Sequence, residues 1–135
     1  RQRQMCIRDR FWAQRLPLSE DNKERRHIAD RLIESLESAL TIADATPEVN
    51  SLMGFAHLAR GSDLDAAIEY LEAAAAQAPH DQASRLLLAN AYLYDGRLEY
   101  AIATAESVVR FEHEPNFVTA AANDIIAQAR SARRP

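Results

Sequence analysis

The feature that most constrains this chain is an internal repeat with a period of 34 to 35 residues. Residues 53–61 align with residues 88–96 at an offset of 35, and residues 64–69 align with residues 98–103 at an offset of 34. The one extra residue falls in a turn, at Ser62 or Asp63, where an insertion is best tolerated. A period of this length is typical of a structure that stacks copies of one supersecondary unit.

Five short breaks divide the chain into six helical segments, the first from about residue 22 to residue 43. Thr46-Pro47-Glu48 predicts a helix start, because threonine caps a helix, proline suits its first position and an acid suits its first turn. The other breaks lie at residues 61–63, 78–81, 95–96 and 113–115. Connections this short bring consecutive helices together as antiparallel neighbours.

The spacing of large, small and aromatic residues in both copies resembles the tetratricopeptide repeat family. The matching residues are Met53, Gly54, His57, Ala67, Leu71, Ala74 and Pro79 in the first copy, and Leu88, Ala89, Tyr92, Ala101 and Ala105 in the second. Asn50 and Arg85 replace the family's tryptophan, and His113 replaces its proline in the second copy. The resemblance implies an all-α fold: a right-handed α-solenoid of antiparallel helix pairs with about six helices.

The sequence predicts an N-terminal segment without helical repeats, followed by one helical domain. Residues 1–21 are predicted to be irregular. Residues 22–135 form the repeat domain, with repeats at about 47–80 and 81–115 and a closing helix at about 116–132. The first helix resembles the second helix of an earlier repeat. Residues 1–10 are basic and hold the only cysteine, Cys6. They resemble adapter read-through in translated metagenomic assemblies; a disordered basic tail is the alternative. Both interpretations leave them out of the fold.

The charge of the chain argues against nucleic acid as a partner. The sequence has 16 basic and 20 acidic residues, a net charge of −4. Without residues 1–10, which hold four arginines and one aspartate, 12 basic and 19 acidic residues remain, a net charge of −7. Binding to a phosphate backbone needs a basic surface instead. No apolar run approaches the roughly 18 residues of a membrane span, so no membrane insertion is expected.

No arrangement of residues in the sequence predicts catalysis, a cofactor or a metal site. The four histidines do not occur at metal-ligand spacings on one helix, and no cysteine can join them. His57 is interpreted as a packed replacement for tyrosine. The acidic residues fall singly on helix faces or at caps, and the three glycines are too isolated to form a phosphate-binding loop. The chain is therefore predicted not to be an enzyme.

The predicted binding surface lies on the first helix of each repeat. Its residues are Ser51, Phe55 and Leu58 in the first copy and Leu86, Asn90, Leu93 and Tyr94 in the second. A helix that is apolar nearly all round must be covered on more than one side, and the first helices of such stacks line the concave surface. We expect this groove to bind a peptide or helix of another protein. The open alternative is that the same face is core, covered by neighbouring helices.

Two hypotheses about the whole protein remain open at this point. The favoured one is an adaptor or scaffold module, present here as a fragment of a larger protein. The alternative is a non-catalytic C-terminal repeat region of a larger enzyme of the peptidase or transferase class. Self-association is a further possibility, because the end of a helical stack exposes apolar surface. The identity of the partner and the cellular compartment are not encoded in any recognisable feature.

Overall fold

The computed structural model describes residues 20–42, 44–61, 63–111 and 116–133, without the side chains of residues 20–22. Helices make up 87% of these residues, and none of them forms a strand. The six helices in this part of the chain are α1 Glu20–Leu40, α2 Pro47–Arg60, α3 Leu64–Gln77, α4 Gln82–Asp95, α5 Leu98–Phe111 and α6 Phe117–Arg133. The all-α prediction with about six helices is confirmed. The expectations for residues 1–10, Cys6 included, lie outside the described residues.

Side-chain caps and glycines set the helix boundaries. Thr46, Asp63 and Asp81 each accept a hydrogen bond from a backbone N–H in the first turn of α2, α3 and α4, at 3.0–3.3 Å. These bonds satisfy donors that have no partner within the helix. Gly61 and Gly96 end α2 and α4 with φ values of 76° and 82°, a left-handed conformation that glycine adopts without strain.

The first helix differs slightly from its predicted range of residues 22–43. It begins at Glu20 and ends at Leu40. Beyond its end, the backbone N–H groups of Thr41 and Ile42 donate to carbonyls three residues earlier, each at 3.2 Å. This tightening stops the α-helical pattern, and the Thr41 hydroxyl supports it by donating to the Ser38 carbonyl at 2.6 Å.

Each helix packs against the next along the chain, and alternate helices lie in the same layer, so the helices form two layers. Of the helices that are not consecutive, α2 packs against α4, and α4 packs against α6. We call α2, α4 and α6 the first-helix layer and α1, α3 and α5 the second-helix layer. The buried residues Ala29 and Ile33 of α1 recur 35 residues later as Leu64 and Ile68 of α3. This correspondence shows that α1 takes the place of a second helix in the stack.

The core consists of two unequal clusters. The large cluster runs from Leu58 at the end of α2 to Ala129 in α6. It includes the residues that the repeat predicts to be buried together: Leu88, Tyr92, Ala101, Ile102 and Ala105. That prediction is confirmed. The small cluster joins α1 to α2 and has three buried members: Ile33, Met53 and Ala56.

A pairing of small and large side chains sets the approach of α2 to α3. A methyl group added at Gly54 would lie 2.6 Å from Cδ2 of Leu71, which is fully buried. Since this distance is well inside van der Waals contact, α2 and α3 pack as they do only because residue 54 has no side chain. The second repeat has Ala89 and Ala105 at the corresponding positions, both fully buried. One repeat therefore combines glycine with leucine where the other has two alanines.

Candidate binding site

The predicted binding residues lie on α2 and α4, but neighbouring helices cover two of them. Leu58 is 8% exposed and Leu93 is 0% exposed, and both belong to the large cluster. Leu93 is enclosed because α4 packs against α5 and α6 as well as α3. Both leucines are therefore core residues in the described structure, and neither lines an open groove there.

The other five predicted residues keep part of their surface. Phe55 is 49% exposed, and Ser51, Leu86, Asn90 and Tyr94 are half-buried. Leu86 and Tyr94 also pack against the large cluster. We call the surface formed by these five residues the first-helix face. It spans α2 and α4 and has fewer residues than the sequence pattern predicts.

Two side-chain oxygens on α4 have no hydrogen-bond donor among the described residues. Oδ1 of Asn90 and Oε1 of Gln82 are enclosed, yet neither accepts a hydrogen bond within the described part of the chain. Gln82, Leu86 and Asn90 are spaced four residues apart and therefore share one side of the helix. A buried acceptor without a donor costs about 1–3 kcal/mol. Asn90 of the first-helix face, and Gln82 two turns before it on the same side of α4, thus each hold an acceptor without a donor among the described residues.

Ser51 connects the two helices of this face. The Ser84 hydroxyl donates to Oδ2 of Asp81, the cap of α4, at 2.6 Å, and it lies 3.0 Å from the hydroxyl oxygen of Ser51 on α2. Ser84 is fully buried. This contact fixes the spacing of α2 and α4 at the start of α4, so Ser51 has a structural role that the sequence did not predict.

An apolar cleft of about 350 Å³ opens beside Phe55, between α1 and α2. We call it the α1–α2 cleft. Its lining includes Ile28 and Leu32 of α1 together with Phe55 and Ala59 of α2. Ile28 is 66% exposed, which is unusual for an apolar side chain on the stripe that faces the core. In the sequence, Ile28 and Leu32 indicate only a helix stripe, and nothing signals that Ile28 at this end of the stripe is exposed.

The two replacements of the family's tryptophan make corresponding contacts in the two repeats. Asn50 Nδ2 donates to Oε1 of Gln77 at 2.8 Å. The guanidinium carbon of Arg85 lies 5.2 Å from the ring centroid of Phe111, a cation–π distance. Gln77 and Phe111 are 34 residues apart, at the ends of α3 and α5. Each replacement therefore joins the start of a first helix to the end of the second helix in its own repeat.

A second cleft, of about 600 Å³, lies in the other layer. We call it the α1–α3 cleft, because Glu37 of α1 and Glu69 of α3 line its two sides, with His57 and Met53 of α2 beneath. The rings of His57 and Tyr70 are stacked there, with centroids 5.6 Å apart and planes 10° apart. No motif in the sequence indicated this cleft.

Other features bear on the class of protein. Within residues 20–42, 44–61, 63–111 and 116–133, no three His, Cys, Asp or Glu residues are grouped as metal ligands would be. No helix in the same ranges has the length and hydropathy needed to cross a bilayer.

Antiparallel helix pairs with a 34-residue period define a helical repeat protein. The particular family follows from comparison with known proteins. The family model for the tetratricopeptide repeat matches residues 58–123, from the end of α2 into α6, and this part of the chain belongs to that family. The resemblance seen in the sequence is confirmed. Neither the curated proteins nor the solved structures include a significant match to the chain.

Proposed function

We propose that this chain is a protein–protein interaction module that holds a peptide segment or helix of another protein on the first-helix face. Membership of the tetratricopeptide repeat family supports a protein as the partner. The observation that carries the choice of surface is the half-exposed ring of Phe55 on α2, together with the unsatisfied acceptors Gln82 Oε1 and Asn90 Oδ1 on α4.

The chemistry of this face defines its ligand. The two acceptors call for N–H donors, which a peptide backbone or an amide side chain supplies. Phe55 and the α1–α2 cleft offer apolar surface for one large apolar side chain. The proposed ligand is therefore a segment that carries a large apolar residue near free N–H groups.

This proposal gives the chain a non-catalytic role, as is typical of tetratricopeptide repeats. The alternative, that the repeats belong to a larger peptidase or transferase, leaves the same residues with the same binding role. The reading frame upstream of Phe11 distinguishes the two, because a catalytic domain would be recognisable there.

A peptide-display selection followed by affinity measurements on purified variants tests the proposal. Asn90→Ala removes the unsatisfied acceptor and should weaken selected ligands by about 1–3 kcal/mol, or roughly 5- to 150-fold in Kd. Phe55→Ala should weaken them as well, because it removes apolar contact area. Ile42→Ala is the control, since Ile42 is an apolar residue that is 88% exposed in the turn after α1 and does not line the α1–α2 cleft. If every selected ligand binds both test variants as tightly as wild type, the first-helix face is not the site.

A further inference from the structure

The α1–α3 cleft contains hydrogen-bond acceptors without matching donors. Glu37 and Glu69 lie on its two sides, and no ion pair or hydrogen bond joins either carboxylate to another described residue. His57 beneath them is only 7% exposed, and its Nδ1 has no hydrogen-bond partner in the described part of the chain. A carboxylate is an acceptor only, and a neutral imidazole has one accepting nitrogen.

The second repeat shows which side chains occupy the corresponding positions there. Three residues around the cleft have counterparts one repeat later: Glu37 and Glu72, His57 and Tyr92, and Ala66 and Tyr100. There, the phenol of Tyr92 donates to Oε2 of Glu72 at 2.5 Å, and the ring of Tyr100 packs against it with centroids 5.4 Å apart.

The first repeat lacks both of those phenol rings. The imidazole of His57 is shorter than a phenol, and Ala66 provides no ring, so the carboxylate of Glu37 is left without the donor that Glu72 has. The cleft also gains a carboxylate, because Glu69 stands where the second repeat has Ala103. The differences between the repeats therefore create an opening that has more negative charge and more acceptors than its counterpart.

We propose that the α1–α3 cleft binds an arginine side chain presented by a partner polypeptide. A guanidinium group is a planar cation with five N–H donors and no acceptor, which complements two carboxylates and an unpaired ring nitrogen. It also stacks on aromatic rings, and the ring of Tyr70 lines the cleft. The volume of about 600 Å³ is ample for such a side chain. The site lies in the second-helix layer, so it does not depend on the ligand proposed for the first-helix face.

Nuclear magnetic resonance titration of the full chain, labelled with nitrogen-15, tests this site. The probe is the peptide acetyl-Ala-Arg-Ala-amide. The control is the same peptide with citrulline in place of arginine, because citrulline has nearly the same side-chain shape as arginine but no charge. We expect saturable shifts of the His57, Glu69 and Tyr70 amides with the arginine peptide, and an affinity at least about tenfold lower for citrulline. Equal binding of the two peptides, or shifts confined to other residues, overturns the proposal.

Variants locate the interaction within the cleft. Glu37→Gln and Glu69→Gln should each lower the affinity about three- to tenfold, while Glu106→Gln, an exposed carboxylate on α5, should leave it unchanged. His57→Tyr should abolish binding, because it restores the ring that the second repeat has as Tyr92. Circular dichroism verifies that each variant is folded. Wild-type affinity in both glutamate variants contradicts the proposal.

Agmatine, a free guanidinium compound, distinguishes the source of the ligand. If the site is built for a side chain of a polypeptide, agmatine should bind more weakly than the arginine peptide, since it lacks the flanking backbone. Tighter binding of agmatine would overturn the assignment to a partner polypeptide.

Discussion

His57 and Tyr92 occupy the same position in the two repeats, and their surroundings shift their acid–base equilibria in opposite directions. Burial and the nearby Arg60 lower the pKa of His57 below its ordinary value of 6.5, against the smaller opposing effects of Asp63 and Glu37. Burial and the hydrogen bond to Glu72 raise the pKa of Tyr92 far above 10. Both shifts favour the neutral side chain, as expected for groups withdrawn from water.

The lowered pKa of His57 predicts that acid destabilises the fold. In the unfolded chain the imidazole takes up a proton near pH 6.5, whereas in the folded chain it does so only at lower pH. The unfolded state therefore binds more protons between these two pKa values, and the free energy of unfolding falls as the pH drops below about 6.5.

Urea unfolding at pH 7.5 and pH 5.5 measures this loss. In His57→Phe, the part of the loss that comes from His57 should be missing. His80→Gln, which replaces an exposed histidine in the turn before α4, is the control. An identical loss in wild type and His57→Phe would show that protonation of this ring is not coupled to folding.

At the scale of the helix pair, the fit of Gly54 against Leu71 predicts a specific non-additivity. Gly54→Ala should lower the free energy of unfolding by about 1–3 kcal/mol, because the added methyl group overlaps a buried side chain that has no room to move. In a Leu71→Ala background the same change should cost much less, since the pair then matches Ala89 and Ala105 of the second repeat.

A double-mutant cycle by thermal or urea denaturation gives the coupling energy between the two positions. The two single variants and the double variant are compared with wild type under one set of conditions. A Gly54→Ala effect that is the same in both backgrounds would mean that the overlap with Leu71 does not set the helix spacing.

The 34-residue period was enough to predict the helices, their boundaries to within a few residues and the core of the second repeat. It was not enough to predict which residues of α2 and α4 reach solvent. Leu58 follows Phe55 by three residues, and Leu93 follows Asn90 by three, so the helical period places each leucine on the same face as its neighbour. Only the positions of the neighbouring helices decide that the leucines are covered. Periodicity identifies an apolar face but does not identify what lies against it.

The two clefts were missed for a related physical reason. The α1–α2 cleft exists because none of the described residues covers one end of the stripe on α1, which depends on tertiary packing. The α1–α3 cleft depends on two side chains, His57 on α2 and Ala66 on α3, that are both smaller than their counterparts in the second repeat. Each replacement is unremarkable in a degenerate repeat, and only their proximity in space opens a cavity. The unsatisfied Oδ1 of Asn90 likewise becomes visible only when the hydrogen-bond partners around it are known.

Across the whole molecule, the unequal core clusters predict that α1 opens before the other helices. The small cluster joins α1 to α2 through only three buried residues, whereas the large cluster is shared by five helices. The ion pair between Arg60 and Asp30, at 3.4 Å, is partly exposed and adds little. Helices with few buried contacts open locally at a lower free energy than the core.

Amide hydrogen exchange followed by mass spectrometry measures this difference. The protection of α1 should be at least about tenfold lower than that of α4, equivalent to roughly 1.4 kcal/mol in opening free energy. The matched comparison is α6, which is also at one end of the described stack but contributes Ala122, Ile125, Ile126 and Ala129 to the large cluster. Equal protection of α1 and α6 would contradict the prediction.

The differences between the repeats also bear on how a ligand would be aligned on the first-helix face. With two identical repeats, an extended ligand could shift by one repeat and find the same contacts again, so two registers would be degenerate. Here Ser51 corresponds to Leu86, and Phe55 corresponds to Asn90. The ring of Phe55 on α2 and the unpaired amide oxygen of Asn90 on α4 therefore stand at the same repeat position and are not interchangeable. A ligand that contacts both can lie in only one register.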